Sequence, residues 1–443
     1  MDYTIIDIAT LIISLLFLFK NIKNIFNSTR YLIYLIFFLL YVVPLFMDYL
    51  VAFPDYTFTM AKGFAESAED PTSRILYDLA IIYCQFIILN YKKKKESYIH
   101  SFAEQRTYSS FGGTRNTLFL IGMVLPALIT PLLTDRLYIL YTFQWREADS
   151  TVFYNYSLIE QLSYIGLSSS VFLLFSKKGT SIFLRILALV FLYINMCIEG
   201  KRSILFFALL NIIILLFPGL ISYKEKKEER RRQEFGFILA CSIIALFLIA
   251  FSVFVKTVSR GYDIEQTDTI ITTLRIDFFR DDRVRFAIYS LLNPGKVQIL
   301  DYPGQTFFPF IYWVHPFNYI LGKLLPIDAY SYAHYMTSKM AGIPIAPDSA
   351  WMTPTVFAEL VSNFSIIGVL IMPFLALWFA KQASKFSSPI NAMIIISFLL
   401  IQMYAESYVM LYLEFVLVLC IIMMNTTRTR NRRPRIINLE NSN

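Results

Sequence analysis

Residues 203–255 read SILFFALLNIIILLFPGLISYKEKKEERRRQEFGFILACSIIALFLIAFSVFV. Two continuous apolar runs, each close to the roughly 20 residues that a helix needs to cross a bilayer, flank the block KEKKEERRR at 224–232. The apolar residues do not alternate with polar ones, so these runs are not barrel strands. They form a helical hairpin, and its basic turn lies on the cytoplasmic side.

Working outward from this hairpin, the same kind of run recurs along the chain. The expected spans are 4–19, 31–51, 75–91, 117–141, 157–176, 181–198, 203–223, 235–255, 354–380, 390–405 and 408–424. The fourth is interrupted by Pro126, Pro131 and the pair Asp135/Arg136. The fold class is therefore an all-α polytopic integral membrane protein with about 11 transmembrane helices, a range of 10–12. Composition agrees: of 443 residues 56% are hydrophobic and 16% charged, with a mean hydropathy of +0.55. A water-soluble enzyme, a disordered chain and a collagen-like chain are excluded, and no length remains for a large soluble catalytic domain. Asp2 and Asp7 precede the first run while Lys20 and Lys23 follow it, the reverse of a cationic leader, so no removable signal is expected.

Orientation follows from lysine and arginine in the short loops. With an external N-terminus and a cytoplasmic C-terminus, internal segments carry 24 cations and the short external loops six: Lys62, Arg74, Arg136, Arg146, Lys201 and Arg202. The net charge of +8 then reports cytoplasmic loops, not nucleic-acid binding. The chain divides into eight spans over 1–255, one large external loop with short helices over 256–353, three spans over 354–424 and a basic cytoplasmic tail over 425–443. Within the loop, TFFPFIYWVHPFNYILGKLLP (306–326) reads as an interfacial or re-entrant element, or else as a broken span. A long ordered loop among short ones is where function concentrates.

Several stretches carry candidate chemistry. GKRS at 200–203 sets Lys201 and Arg202 at an external turn, against the positive-inside bias. Arg202 can offer a forked guanidinium to a phosphate and Lys201 a point charge; a plain turn with Glu199 paired to one of them is the other reading. SRGYD at 259–263 puts Arg260 where the chain leaves the membrane, as a ligand or an interfacial anchor. LRIDFFRDDRVRFAIY at 274–289 holds Arg275, Asp277, Arg280, Asp281, Asp282, Arg283 and Arg285. Its spacing predicts an external helix with Phe278, Phe279, Phe286 and Ile288 against the bundle; its charges either bind a ligand or pair among themselves at the surface. Arg280 and Arg283 flank Asp281/Asp282 and oppose a metal there.

Glu359 and Asn363 share a helical face near the outer end of the ninth span, and ionisable groups at membrane depth mark sites by default. Burial would raise Glu359 toward general-base range; an ion pair with an arginine is the alternative. Glu414, inside an apolar run, invites the same question. His315 and His334 are too separated to suggest metal, and suit proton transfer better. The four cysteines lie in apolar runs and behave as small apolar side chains. Neither a nucleotide fingerprint nor HExxH nor a GxSxG turn occurs, so no cofactor is expected. Trp145, Trp313 and Trp351, with Tyr302, Tyr312, Tyr330, Tyr332 and Tyr335, enrich the outer face, as an aromatic belt or as platforms for sugar rings.

Together the many spans, the GKR turn, the RG exit into a large loop and PDSAWMTPTVFAELVSNFSIIG (347–368) resemble the Wzy-like O-antigen and capsule repeat-unit polymerases of bacteria. The resemblance implies glycosyl transfer at the outer face of the bacterial cytoplasmic (inner) membrane. The growing glycan on undecaprenyl pyrophosphate is the donor and a newly flipped lipid-linked unit the acceptor, with a chain-length regulator and a flippase as partners. It implies a diphosphate held by Lys201, Arg202, Arg260 and one or more of Arg280, Arg283 and Arg285, with Asn363 beside them. Glu359, His315 and Asp277 are then the candidate bases. Two alternatives remain open. One is an O-antigen ligase or another polyprenyl-donor glycosyltransferase, for which Asp55, Glu66, Glu69 and Asp70 offer acidic groups in the first external loop; the other is a lipid-linked oligosaccharide flippase.

Overall fold

The computed structural model describes residues 3–22, 28–50, 62–91, 279–306, 330–345, 352–384 and 390–403, with scattered helical residues between 120 and 191. Ten helices are bounded among them, and no strand occurs in the described residues. In chain order they are α1 Tyr3–Asn21, α2 Thr29–Tyr41, α3 Val43–Leu50, α4 Lys62–Glu69 and α5 Pro71–Asn90. After the long intervening segment come α6 Asp281–Leu292, α7 Tyr332–Ala341, α8 Val356–Phe364, α9 Ile366–Ala383 and α10 Ile390–Met403.

The faces of α1 show which solvent this fold is built for. Ile5, Ile8, Ile12, Leu16 and Phe19 are exposed, while Asp7, Thr10 and Ser14 are buried. In water that arrangement would be inside out; in lipid it is the stable one, because apolar side chains gain nothing by leaving hydrocarbon and polar ones must find partners inside. α9 repeats the pattern. Ile366, Ile367, Leu370, Ile371, Phe374 and Trp378 face outward, and Gly368, Ala376, Ala380 and Ala383 face the bundle, small enough for close helix approach. Four segments are long and apolar enough to cross a membrane: Thr4–Asn21, Thr29–Leu50, Pro71–Asn90 and Ile366–Ala383. The chain is thus a helical, membrane-associated protein.

Local sequence explains the helix limits. Pro44 has no N–H to donate, and the expected span 31–51 is interrupted at Val42, between α2 and α3. Asp70 caps α5 by accepting from Ser73 N at 2.8 Å, with Pro71 in the first turn. The expected span 354–380 is likewise two helices, parted at Ser365, whose φ of 57° no continuous helix allows. At Gly368 the chain passes so close to α8 that a Cβ would stand 2.1 Å from the Leu360 carbonyl oxygen. Only glycine permits this return.

Polar contacts align the ends of the spans. At one end Asp7 of α1 is paired with Arg74 of α5 and accepts from the Tyr49 hydroxyl of α3 at 2.5 Å. At the other end the Arg30 guanidinium of α2 donates to the carbonyls of Ile88 and Leu89, and to that of Tyr91 at 3.2 Å. Thr29 donates there to Ala380 O at 3.0 Å, which brings the end of α9 to the start of α2. Hence α1, α5 and α9 run one way and α2–α3 the other, with Lys20, Arg30 and Lys381 gathered at one end. Helices α4, α6, α7 and α8 pack at the opposite end, where α6 lies against α4, α5 and α8, while α10 packs along α9 and α2.

Candidate functional site

α6 is the element that sequence reading misjudged most. Its pattern predicts a surface helix with one apolar side on the bundle. Instead every residue from Arg280 to Ser290 is buried, with Arg280, Arg283 and Arg285 each 1% exposed. The reading of these charges as a self-paired surface array is therefore corrected: they pair, but inside. Helix α4 makes room for this. A Cβ at Gly63 would meet the Phe286 ring at 2.4 Å, and Phe64 stacks edge-on to the same ring at 5.6 Å.

Burying a guanidinium is costly, and ion pairs and hydrogen bonds offset that cost. Arg280 donates from Nε to Met403 O at 2.9 Å and from a terminal nitrogen to Phe279 O at 2.7 Å. Its backbone N donates to Leu40 O at 3.3 Å, fixing the point where the chain enters between α2 and α10. Arg283 donates to both carboxylate oxygens of Asp282 at 2.6 and 2.7 Å, to Thr353 O at 3.2 Å and to the Met352 sulfur at 3.0 Å. It also lies over the Phe64 ring, 5.5 Å from its centroid. Arg285 pairs with Asp281 one turn back and with Asp48 of α3 at 3.2 Å, and lies over Tyr77 of α5. Asp281 and Asp282 thus diverge to different arginines and do not converge as a metal pair.

Beside α6 runs α8, whose N-cap Thr355 accepts from Ala358 N at 3.0 Å. Glu359 on this helix is 2% exposed, and neither carboxylate oxygen accepts a hydrogen bond. It stands on the short helix ahead of the spanning one. Burial pushes its carboxyl up to about 8, opposed by the Thr306 hydroxyl. Asn363, one turn on, donates to Glu359 O at 2.9 Å and to Thr306 Oγ1 at 2.8 Å. Its side-chain Oδ1 accepts from Thr306 N at 3.4 Å, so Asn363 tethers the loop after α6 to α8. Tyr332 of α7 donates to Ala358 O at 3.2 Å and meets Ser362 Oγ at 2.7 Å. Burial raises the Tyr332 hydroxyl well above its usual range, with Glu359 adding to the effect.

Five predicted site residues therefore meet on two adjoining helices: Arg280, Arg283 and Arg285 on or capping α6, and Glu359 and Asn363 on α8. The other five, Lys201, Arg202, Arg260, Asp277 and His315, lie outside the described residues. The aromatic platforms divide. Tyr332 and Tyr335 are buried and cannot face a sugar ring, whereas Tyr302 is exposed. Of the early acidic groups, Asp70 is a helix cap and Glu66 accepts from the Tyr289 hydroxyl of α6 at 3.4 Å. His334 Nδ1 lies 2.8 Å from the Ser331 hydroxyl in the first turn of α7.

Sequence reasoning overlooked Asp48, and also Asp7, Arg74 and Asp78. Each falls inside or at the edge of an apolar run, and that signal, applied to Glu359, could have been applied to them too. Chemically the site offers a buried carboxyl raised to about 8 on α8, and on the helix packed against it three buried arginines held by carboxylates and carbonyls. Each carboxylate here is held by one arginine nitrogen, Asp282 by Arg283 Nη1 and Asp281 and Asp48 by Arg285 Nη2, a charge-assisted contact of the kind a phosphate oxygen also makes. Comparison with known families, characterised proteins and solved structures finds no match to this chain.

Proposed function

We propose that this protein polymerises lipid-linked oligosaccharide repeat units at the outer face of a bacterial cytoplasmic membrane, by glycosyl transfer from a polyprenyl diphosphate. The observation that carries the reading is the packing of α8, which holds the buried Glu359, against α6, which holds the buried Arg283 and Arg285 and is capped by Arg280, at the end of the bundle away from Lys20, Arg30 and Lys381. Basic ends of spans face the cytoplasm, which assigns the opposite end to the outside.

In this scheme a hydroxyl of the acceptor glycan attacks the anomeric carbon of the donor, and its proton passes to ionised Glu359. The bond from the anomeric carbon to the diphosphate oxygen breaks, and polyprenyl diphosphate leaves with the electron pair. Arginines aimed at that developing charge stabilise it, and the loss of one such donor typically costs about 10²–10³ in rate. Arg283 would reach a diphosphate by giving up the contact of its Nη1 with Asp282, freeing that nitrogen for a phosphate oxygen. An activated donor needs no nucleotide pocket, in keeping with a sequence that lacks nucleotide fingerprints. Lys201, Arg202 and Arg260 are proposed to complete the cationic lining, with Asp277 and His315 as alternative bases and a flippase and a chain-length regulator as partners.

The test is complementation of a deletion strain. Glu359→Gln should leave glycans carrying a single repeat and abolish long polymer, with the variant still present in the membrane. A normal ladder of lengths would reject Glu359 as the base. Transport of a lipid-linked oligosaccharide is the second reading, favoured by ionisable groups buried between α1 and α5. It predicts that even the single-repeat product disappears.

A further inference from the structure

Away from the site, α1 and α5 bury a strip of polar side chains between them. Asp7, Thr10 and Ser14 of α1 face Arg74, Asp78 and Gln85 of α5, and all six are at most 5% exposed. The strip begins at the Asp7–Arg74 pair, where the partly exposed Tyr49 donates to Asp7. It ends where Gln85 donates to Ser14 Oγ at 2.7 Å and accepts from the Tyr34 hydroxyl of α2 at 3.3 Å. Beyond Gln85 the face of α5 is apolar, with Ile88 and Leu89 buried. From Arg74 to Gln85 the helix rises about 16 Å, near half of a bilayer core of about 30 Å. The strip is thus open toward one end of the bundle and sealed toward the other.

Asp78 sits within it, wholly buried, and neither of its carboxylate oxygens has a hydrogen-bond partner. Asp7, Thr10 and Arg285 are the groups that face it, and the Thr10 hydroxyl is itself buried without a partner. The charges nearby come from four helices: Asp7 of α1, Asp48 of α3, Arg74 and Asp78 of α5, Asp281 and Arg285 of α6. Arg74 is matched by Asp7, and Arg285 by Asp281 and Asp48, so these described residues set four carboxylates against two guanidiniums. A carboxylate left over from those pairings, with no hydrogen bond made to either oxygen, is costly to bury ionised.

We propose that Asp78 is a proton-binding site of this membrane bundle, which takes up and releases its proton through Asp7 and Tyr49 at the open end of the strip. On uptake the proton bonds to a carboxylate oxygen of Asp78, and the hydroxyl so formed can donate to Asp7 or to the Thr10 oxygen. On release the proton returns to water by the same groups, and the carboxylate left behind draws on Arg285, competing with Asp281 and Asp48. Occupancy of Asp78 is thereby linked to the arginine helix α6. A sodium ion in the same place would set a cation beside Arg74 and Arg285 and must shed its water onto few oxygens, which favours the proton.

Infrared difference spectroscopy of the full-length protein in lipid nanodiscs, titrated with acid and base, tests this directly. The protonated-carboxyl band should contain a component that shifts on aspartate-specific ¹³C labelling, survives Glu359→Gln and is lost in Asp78→Asn. Thr10→Val, a mild change of shape, should move that component without removing it, and supplies the answer should Asp78→Asn fail to fold. No aspartate-labelled component, an unchanged component in Asp78→Asn, or no shift in Thr10→Val would overturn the proposal. So would a titration whose midpoint moves with sodium concentration, which would make the site one for a metal cation.

Discussion

At the scale of single residues, Glu359 and Arg283 are opposite solutions to burial. Glu359 has no donor on its carboxylate and rises to about 8, so between about 4.5 and 8 the folded protein holds a proton that the unfolded chain has lost. Stability attributable to this group is full below about 4.5, falls as pH rises through that window, and is flat above it. Denaturation of the purified protein across pH should show the slope, and Glu359→Gln should remove it, a difference on the order of a few kcal/mol at alkaline pH. Arg283 is held by Asp282, Thr353 O and Met352 instead. Arg283→Ala leaves Asp282 buried without its partner and should cost about 3–5 kcal/mol; pairing it with Asp282→Asn should recover much of that in a double-mutant cycle. The sequence made both residues legible as candidates, since charge amid apolar neighbours is conspicuous. It did not reveal that Arg283 is already engaged, because Asp282 beside it looks the same whether the pair faces water or the protein interior.

Among elements, the hinge between α8 and α9 sets where Glu359 stands. Gly368 lies against the Leu360 carbonyl and Ser365 holds a left-handed φ. Gly368→Ala should push the two helices apart at a cost of about 1–3 kcal/mol and lower activity beyond its effect on stability, measured as yield of folded protein against yield of polymer. Thr355→Ala, which removes only the cap of α8, should cost about 1 kcal/mol and leave the helix in place. The spans themselves were legible because lipid demands long apolar runs, and Pro44 signals the α2–α3 interruption. The break at Ser365 was not, since SNFSIIG carries no proline and its neighbours are as apolar as those of a continuous helix. α6 was misjudged for a related reason. An amphipathic pattern says that one face is apolar, but not that the other meets water rather than Asp48.

For the molecule as a whole, the described helices form a bundle with a basic end at Lys20, Arg30 and Lys381 and a charge-paired end at Asp7, Arg74 and α6. The proposed orientation, drawn from charge bias, sets the first in the cytoplasm. Single cysteines introduced at Lys381 and at Leu50, which is 79% exposed, should therefore react with a membrane-impermeant maleimide from opposite sides, Leu50→Cys in intact spheroplasts and Lys381→Cys only after lysis. Labelling of both from one side would invert or break the orientation on which an outward-facing site depends. The central claim, that Glu359 and the α6 arginines transfer glycans between lipid carriers, is tested most directly with purified protein in liposomes supplied with a polyprenyl-diphosphate oligosaccharide. Glycan lengthening with one polyprenyl diphosphate released per linkage formed, lost in Glu359→Gln and reduced about 10²-fold or more in Arg283→Lys, is the predicted result. No lengthening by the wild-type protein, or lengthening that both variants sustain, would contradict it.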